Sequence, residues 1–138
     1  MLKYLDTSII LESIIKDAKY SIECAQIIQA IKKAEEQVIL TTLNIGELFH
    51  ILLNREGFTI NYINDYIEAL IKLEGVQLIE ISKGILFQAF ILSKKYQIDL
   101  ADASAIILMQ KHQIKSIYSL DSNYDKFRDI QRLTHLPG

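Results

Sequence analysis

The sequence predicts an α/β protein, a parallel sheet with helices on both faces. Three observations predict it. The chain has 138 residues, close to one domain at ~150 residues per domain. It is 50% hydrophobic, too apolar to remain disordered. Short apolar runs alternate along it with segments whose apolar residues recur at helical spacing, and that alternation points to buried parallel strands joined by helices.

Each element follows in order. Leu2 to Leu5 is a short apolar run ending in Asp6-Thr7-Ser8, a strand running into a helix start, with the first helix over Ile9 to Lys16. Ile22, Ala25, Ile28 and Ile31 share one face of a second helix, predicted over Tyr20 to Gln37. Val38-Ile39-Leu40 reads as a buried strand, and Thr41 to Asn44 opens a helix that runs to about Arg55 before Gly57. Thr59 caps the next, with Ile60, Ile63, Ile67, Leu70 and Ile71 on one face and Glu74-Gly75 at its end. Val76 to Ile81 is a third strand, and Ser82 caps a helix over Lys83 to Lys95. Asp99 opens a helix that is apolar nearly all round from Ala101 to Met109, the pattern of a buried helix. Ser116 to Leu120 is a fourth strand, Asp121 to Asp125 a turn, and Asp129 to Leu133 a short edge strand. No repeat or internal boundary interrupts this pattern, so residues 1–138 are read as a single domain.

Composition excludes several classes. Cys24 is alone, which removes an intrachain disulfide and a cysteine zinc site, and His50, His112 and His135 match no ligand spacing. No uncharged stretch approaches the ~20 apolar residues of a membrane span, and Asp6 interrupts the N-terminus where a leader would be apolar. A cytoplasmic chain is the expectation. A net charge of −2 is not that of a protein holding nucleic acid by bulk electrostatics.

The chemistry is signalled by four acids that interrupt apolar stretches. Asp6 is the only formal charge between Lys3 and Glu12, Glu47 between Glu36 and Arg55, Asp102 between Asp99 and Lys111, and Asp121 between Lys115 and Asp125. Each has a local alternative. Asp6 could cap the first helix, Glu47 could close a capping box on Asn44, Asp102 stands in the same relation to Asp99, and Asp121 could form an Asx turn. Taken together they suggest more, because an open parallel sheet binds ligands at the carboxyl ends of its strands, where Asp6 and Asp121 would lie. Like charges ~4 Å apart repel by about 4 kcal/mol at an effective dielectric near 20, so such a cluster must take up protons or cations. All-oxygen donors favour Mg²⁺ or Mn²⁺, and the chemistry such a site supports is metal-assisted phosphodiester hydrolysis.

These residues fall into four ordered motifs: Tyr4-Leu5-Asp6-Thr7-Ser8-Ile9-Ile10, Asn44-Ile45-Gly46-Glu47-Leu48, Ile98-Asp99-Leu100-Ala101-Asp102-Ala103 and Tyr118-Ser119-Leu120-Asp121. The set resembles the PIN-domain nucleases, and among them the small VapC-type toxins, over nearly the whole chain. The resemblance implies a three-layer α/β/α sandwich with a central parallel sheet of four to five strands. It implies a Mg²⁺- or Mn²⁺-dependent endoribonuclease, a homodimer, and a cognate antitoxin. Asp6, Glu47, Asp102 and Asp121 would be its acidic quartet: Asp6 and Asp102 in direct metal contact, Asp121 directly or through water, and Glu47 orienting the attacking water or completing a second metal site. Ser119 would be a supporting hydroxyl. Asn44, beside Glu47, is either a supporting polar group or a helix cap. Thr7 and Ser8 read as capping groups, while Asp99 and Asp125 are extra acids beside two motif positions, either assisting the quartet or serving as a helix cap (Asp99) and a surface helix-start residue (Asp125).

The partner surfaces are less sharply marked. Ile9, Ile10, Ile14, Ile15, Phe49, Leu52 and Leu53 could line a groove for a partner helix or form ordinary core. Lys32-Lys33, Lys94-Lys95, Lys126, Arg128 and Arg132 could meet an RNA backbone or simply face solvent. A haloacid-dehalogenase-type phosphatase also opens with a strand ending in Asp, but needs an acid where Ser8 stands. A receiver-type domain would need an acidic pair and a helper lysine that are not evident. A PIN-like scaffold without activity is the remaining alternative, and the intact quartet speaks against it.

Overall fold

The computed structural model describes residues 1–15 and 17–138. In chain order the elements are β1 (Leu2–Leu5), α1 (Thr7–Ile14), α2 (Ser21–Lys32), β2 (Gln37–Thr41), α3 (Thr42–Asn54), α4 (Ile60–Ile71), β3 (Val76–Ile79), α5 (Lys83–Tyr96), α6 (Leu100–Lys111), β4 (Ser116–Tyr118), a 3₁₀ turn (Ser122–Lys126) and β5 (Gln131–Leu133). The five strands form one sheet in the order β3-β2-β1-β4-β5, with every pairing parallel. The chain builds outward from β1 through β2 to β3, then crosses to the other side of β1 for β4 and β5. The order therefore reverses between β1 and β4.

Side chains alternate across the strands, so the sheet has two buried faces. Leu5, Val38, Leu40 and Tyr118 pack beneath residues of α1 to α4, including Ile9, Ile27, Leu48 and Ile63. Tyr4, Ile39 and Ile117 face α6, through Ala105, Ile106 and Met109, and α5 packs on α6 through Ala89 and Ala103. This is the expected three-layer sandwich. Ile9, Ile10 and Leu52 are almost wholly buried core, so of the suggested groove only the partly buried Ile14, Ile15, Phe49 and Leu53 remain near the surface.

Boundaries differ from expectation where local pattern and tertiary geometry disagree. The second helix ends at Lys32, not Gln37. Ala34 adopts a left-handed conformation, φ 57°, and the Glu35 N–H returns to the Ala30 carbonyl at 2.9 Å, closing the helix before the charged stretch. Helix α4 ends at Ile71, before the expected stop at Glu74-Gly75, and Gly75 instead stands at the entry to β3, where a Cβ would lie 2.6 Å from the Ile31 carbonyl oxygen and 2.8 Å from that of Glu36. The first helix begins at Thr7, and its expected end at Lys16 lies outside the described residues. No helix among the described residues is long and apolar enough to cross a membrane.

One charged group enters the α1–α4 face. Lys3 is buried, and its ammonium donates to Glu36 Oε1 at 2.8 Å. The Tyr118 hydroxyl donates to the same oxygen. Burial pushes Glu36 up, but the two donors and the lysine charge more than reverse this and hold its carboxyl below the ordinary range.

Candidate active site

In doubly wound sheets the crevice beyond the strand ends opens where the strand order reverses, here at the ends of β1 and β4. Asp6 follows β1 directly and extends the ladder, its N–H donating to the Tyr118 carbonyl at 3.0 Å. It occupies the N-cap position of α1, yet its side chain makes no capping bond. Instead Oδ2 accepts from Ser8 Oγ at 2.9 Å and from Ser119 Oγ at 2.6 Å. Each serine also accepts a backbone N–H beyond β4, Ser8 from Leu120 at 3.1 Å and Ser119 from Asp121 at 3.0 Å. Ser119 thus joins Asp6 to the backbone at Asp121. Ser8, expected to cap the helix, instead ties Asp6 to the end of β4.

Asp121 forms the anticipated Asx turn, Oδ1 accepting from the Asn123 N–H at 2.9 Å and capping the 3₁₀ turn. That turn carries Tyr124 back under the site, where its hydroxyl donates to Asp102 Oδ1 at 2.9 Å. Asp99 caps α6, its Oδ1 accepting from the Asp102 N–H at 2.8 Å. The Asp102 carboxylate is held by Tyr124 rather than by the N-terminus of its own helix.

Glu47 lies half-buried on α3. The expected capping box between Asn44 and Glu47 does not form. The N-cap is Thr41, whose Oγ1 accepts the Asn44 N–H at 3.1 Å while Asn44 Oδ1 accepts the Thr41 N–H at 3.1 Å. An amide does the work of the usual acid, which releases Glu47 from that role. Asn44, itself buried, also accepts from the Tyr4 hydroxyl and donates to Thr7 Oγ1 at 3.4 Å. It knots β1, β2, α1 and α3 beneath the acids.

The acids share one electrostatic field. Burial raises Asp6, with Asp121 adding to it and the Ser119 and Ser8 hydroxyls pulling back. Asp102 is pushed up to about 8, by burial first and then by Asp99, Asp6 and Asp121, against the Tyr124 hydrogen bond. Glu47 is raised by burial and by Asp99 and Asp6, against Thr7. Every group acting on these three is an acid or a neutral donor. Asp99, which caps α6, also adds its charge to the cluster, raising Asp102 and Glu47. Asp125 is apart: its two oxygens accept from Arg132 Nε and Nη2 at 3.0 Å each. Arg132 Nη1 also donates to the Ser119 carbonyl at 3.4 Å, and Lys126 donates to the Tyr96 carbonyl at 3.4 Å.

Two clefts flank the cluster. Glu47 and Asp99 line one of about 380 Å³ with Thr42 and Gly46. Ser8 and Asp121 line the other, about 310 Å³, with Glu12 and Arg55. A larger cleft of about 450 Å³, between Tyr96, Lys115 and Arg128, includes none of the acids. Among the described residues, no three Asp, Glu, His or Cys side chains stand together as a metal-chelating group. In charge and donor type the cluster nevertheless suits a hard divalent cation: its donors are carboxylate oxygens, and their mutual repulsion is relieved by positive charge.

The chemistry-bearing groups missing from the sequence reading are Tyr124 and Tyr4. Tyr4 sits in an apolar run that looks like core and Tyr124 in a polar turn, and only the fold shows that each hydroxyl ends on a polar group of the site. A cue existed for Tyr124 alone, in its place three residues after Asp121.

The PIN domain family model matches residues 3–131. Among solved structures, the VapC20 toxin of Mycobacterium tuberculosis, described as Sarcin-Ricin loop cleaving, aligns with a TM-score of 0.76 at 15% identity, over 95% of this chain and 99% of that one. VapBC2 of Rickettsia felis, bound to a DNA fragment from its promoter, aligns with a TM-score of 0.68 at 11% identity, over 96% and 98%. A toxin-antitoxin complex from Klebsiella pneumoniae aligns with a TM-score of 0.63 at 15% identity, over 94% and 95%. No curated protein matches the sequence. At these identities the structural likenesses establish a shared fold, and with a family model spanning nearly the whole chain, the protein belongs to the PIN domain family.

Proposed function

We propose that the protein is a divalent-metal-dependent endoribonuclease, the toxin of a type II toxin-antitoxin pair, acting in the cytoplasm as a homodimer with Mg²⁺ or, in its place, Mn²⁺. The observation that carries the reading is the cluster of Asp6, Asp102 and Asp121, with Glu47 beside it, at the point where the strand order reverses, with only acids and neutral donors acting on Asp6 and Asp102. Asp6, Asp102 and Asp121 would hold the cation. When bound, it supplies Lewis-acid charge to the scissile phosphodiester and lowers the pKa of a coordinated water.

The chain's own residues do the rest. Glu47, raised by its burial, orients the attacking water and accepts its proton. The water oxygen forms a bond to phosphorus, the bond from phosphorus to the 3′ oxygen breaks, and that oxygen takes a proton from solvent. Ser119 and Ser8 hold Asp6 in place through Oδ2. Asn44 fixes the start of α3, and with it the direction from which Glu47 approaches.

The structural likeness to a VapC toxin, to VapBC2 and to a toxin-antitoxin complex supports an antitoxin partner. Exposed Phe87, Phe90 and Ile91 on α5 form an apolar stripe of the kind that marks association surfaces, which supports pairing of two copies. One observation favours the inactive scaffold instead: no three acids already form a chelating group. Incubation with structured and unstructured RNAs, with Mg²⁺, Mn²⁺ or chelator, separates the two. Cleavage with mapped ends that chelator abolishes is the expected result; RNA left intact under every condition supports the scaffold.

A further inference from the structure

We infer that Tyr124 is a positioning residue for Asp102, and that the 3₁₀ turn carrying it sets the two aspartates flanking Asp6 as one unit. The inference rests on the metallonuclease reading above. Asp102 is the third residue of α6, the position from which an acid ordinarily reaches back to the N-cap N–H. Here the N-cap is Asp99, and the Asp102 carboxylate accepts instead from the Tyr124 hydroxyl at 2.9 Å. The tyrosine is 1% exposed, with its ring among Tyr4, Ile106 and Ile117 in the core between the sheet and α6. A donor so fixed fixes its acceptor.

The turn begins at Asp121, whose Oδ1 caps it through the Asn123 N–H. Asp121 and Tyr124 therefore move with the same few residues. The hydroxyl engages Oδ1 of Asp102, which directs metal binding to its other oxygen. Packing alone needs only the ring at this position. The hydroxyl serves the carboxylate.

The test is Tyr124→Phe, which removes one oxygen and keeps the ring. Bound Mn²⁺ is counted by electron paramagnetic resonance, independently of cleavage, in wild type, Tyr124→Phe and Asp102→Asn, below each protein's melting transition. The expected result is a folded Tyr124→Phe protein whose Mn²⁺ affinity falls about tenfold, the scale for removing a partner of a metal ligand. RNA cleavage should then show a lowered kcat, a KM close to wild type, and partial recovery at high Mn²⁺. Wild-type Mn²⁺ affinity in Tyr124→Phe, while Asp102→Asn binds poorly, overturns the inference and leaves the nuclease reading standing. A wild-type protein that binds no Mn²⁺ and cleaves no RNA overturns both.

Discussion

Two inward-facing acids of this protein meet opposite fates. Glu36, near the start of β2, has the Lys3 ammonium at 2.8 Å and the Tyr118 hydroxyl on the same oxygen, and its carboxyl is held below the ordinary range. Asp102, across the sheet, has a neutral hydroxyl as its donor and acids as its charged neighbours, and it is pushed up to about 8. Folding has matched the first charge with its opposite and left the second unmatched. An ion pair that satisfies itself is architecture. A buried charge surrounded by like charges is tolerable only with a proton or a cation, and that requirement makes it a site.

The comparison is broken most severely by neutralising each acid. Asp102→Asn should lower metal-dependent RNA cleavage by at least ~10²-fold, the scale seen when one group stabilising a transition state is removed. Its melting temperature should hold or rise, since a repelled charge is gone. Glu36→Gln should do the reverse. It strands Lys3 and should cost about 1–3 kcal/mol of stability, while the folded fraction cleaves at the wild-type rate. Paired melting curves and initial rates check both. A destabilised Asp102→Asn with full activity would exchange the roles assigned to the two regions.

The pH dependence sharpens the same contrast. Folded, Asp102 keeps its proton up to about pH 8; unfolded, it loses it near 3.8. Between those values the folded state binds more protons, so stability falls as pH rises through the window, and the cost is complete above about 8. Glu36, lowered from 4.5, contributes with the opposite sign: its stabilisation is present above that value and is lost as pH falls through the lower folded value. Melting temperatures in chelator should therefore decline from near pH 4 toward pH 8. Mn²⁺ should flatten the decline by binding the folded state, and so should Asp102→Asn.

Smaller effects grade the cluster's edge. Ser119→Ala removes one of two hydroxyls on Asp6 and the acceptor of the Asp121 N–H. It should cut cleavage about tenfold and shift the metal requirement upward in a Mn²⁺ titration. Asp125→Asn, on an exposed pair with Arg132, should leave cleavage rate and melting temperature as they were.

What could be read beforehand follows from the range of the signals. Asp6, Glu47, Asp102 and Asp121 were visible because each interrupts an apolar run, a contrast confined to neighbouring residues. Alternating strands and helices revealed the parallel sheet in the same local way, whereas Ser119 was singled out only by the resemblance of Tyr118-Ser119-Leu120-Asp121 to the family's fourth motif. The partners of the acids were not visible, because they come from far along the chain: Tyr124 reaches Asp102 across 22 residues, Tyr4 reaches Asn44 across 40, and Lys3 reaches Glu36 across 33. The helix start between Thr41 and Asn44 offered polar residues at both ends, and only backbone geometry made Thr41 the cap. Gly75 read as a helix stop, whereas the helix ends at Ile71 and the glycine is set by carbonyls at Ile31 and Glu36 that no local pattern reveals.

The most direct test is the titration of the Asp102 carboxyl itself, followed by carbon NMR of labelled aspartate with Asp102→Asn to assign the signal, first in chelator and then in Mg²⁺. The account predicts a midpoint near 8 without metal and a marked fall when Mg²⁺ is added. A midpoint in the ordinary aspartate range, indifferent to Mg²⁺, would mean that the charge at the end of the sheet is already satisfied, and the contrast with Glu36 would be lost.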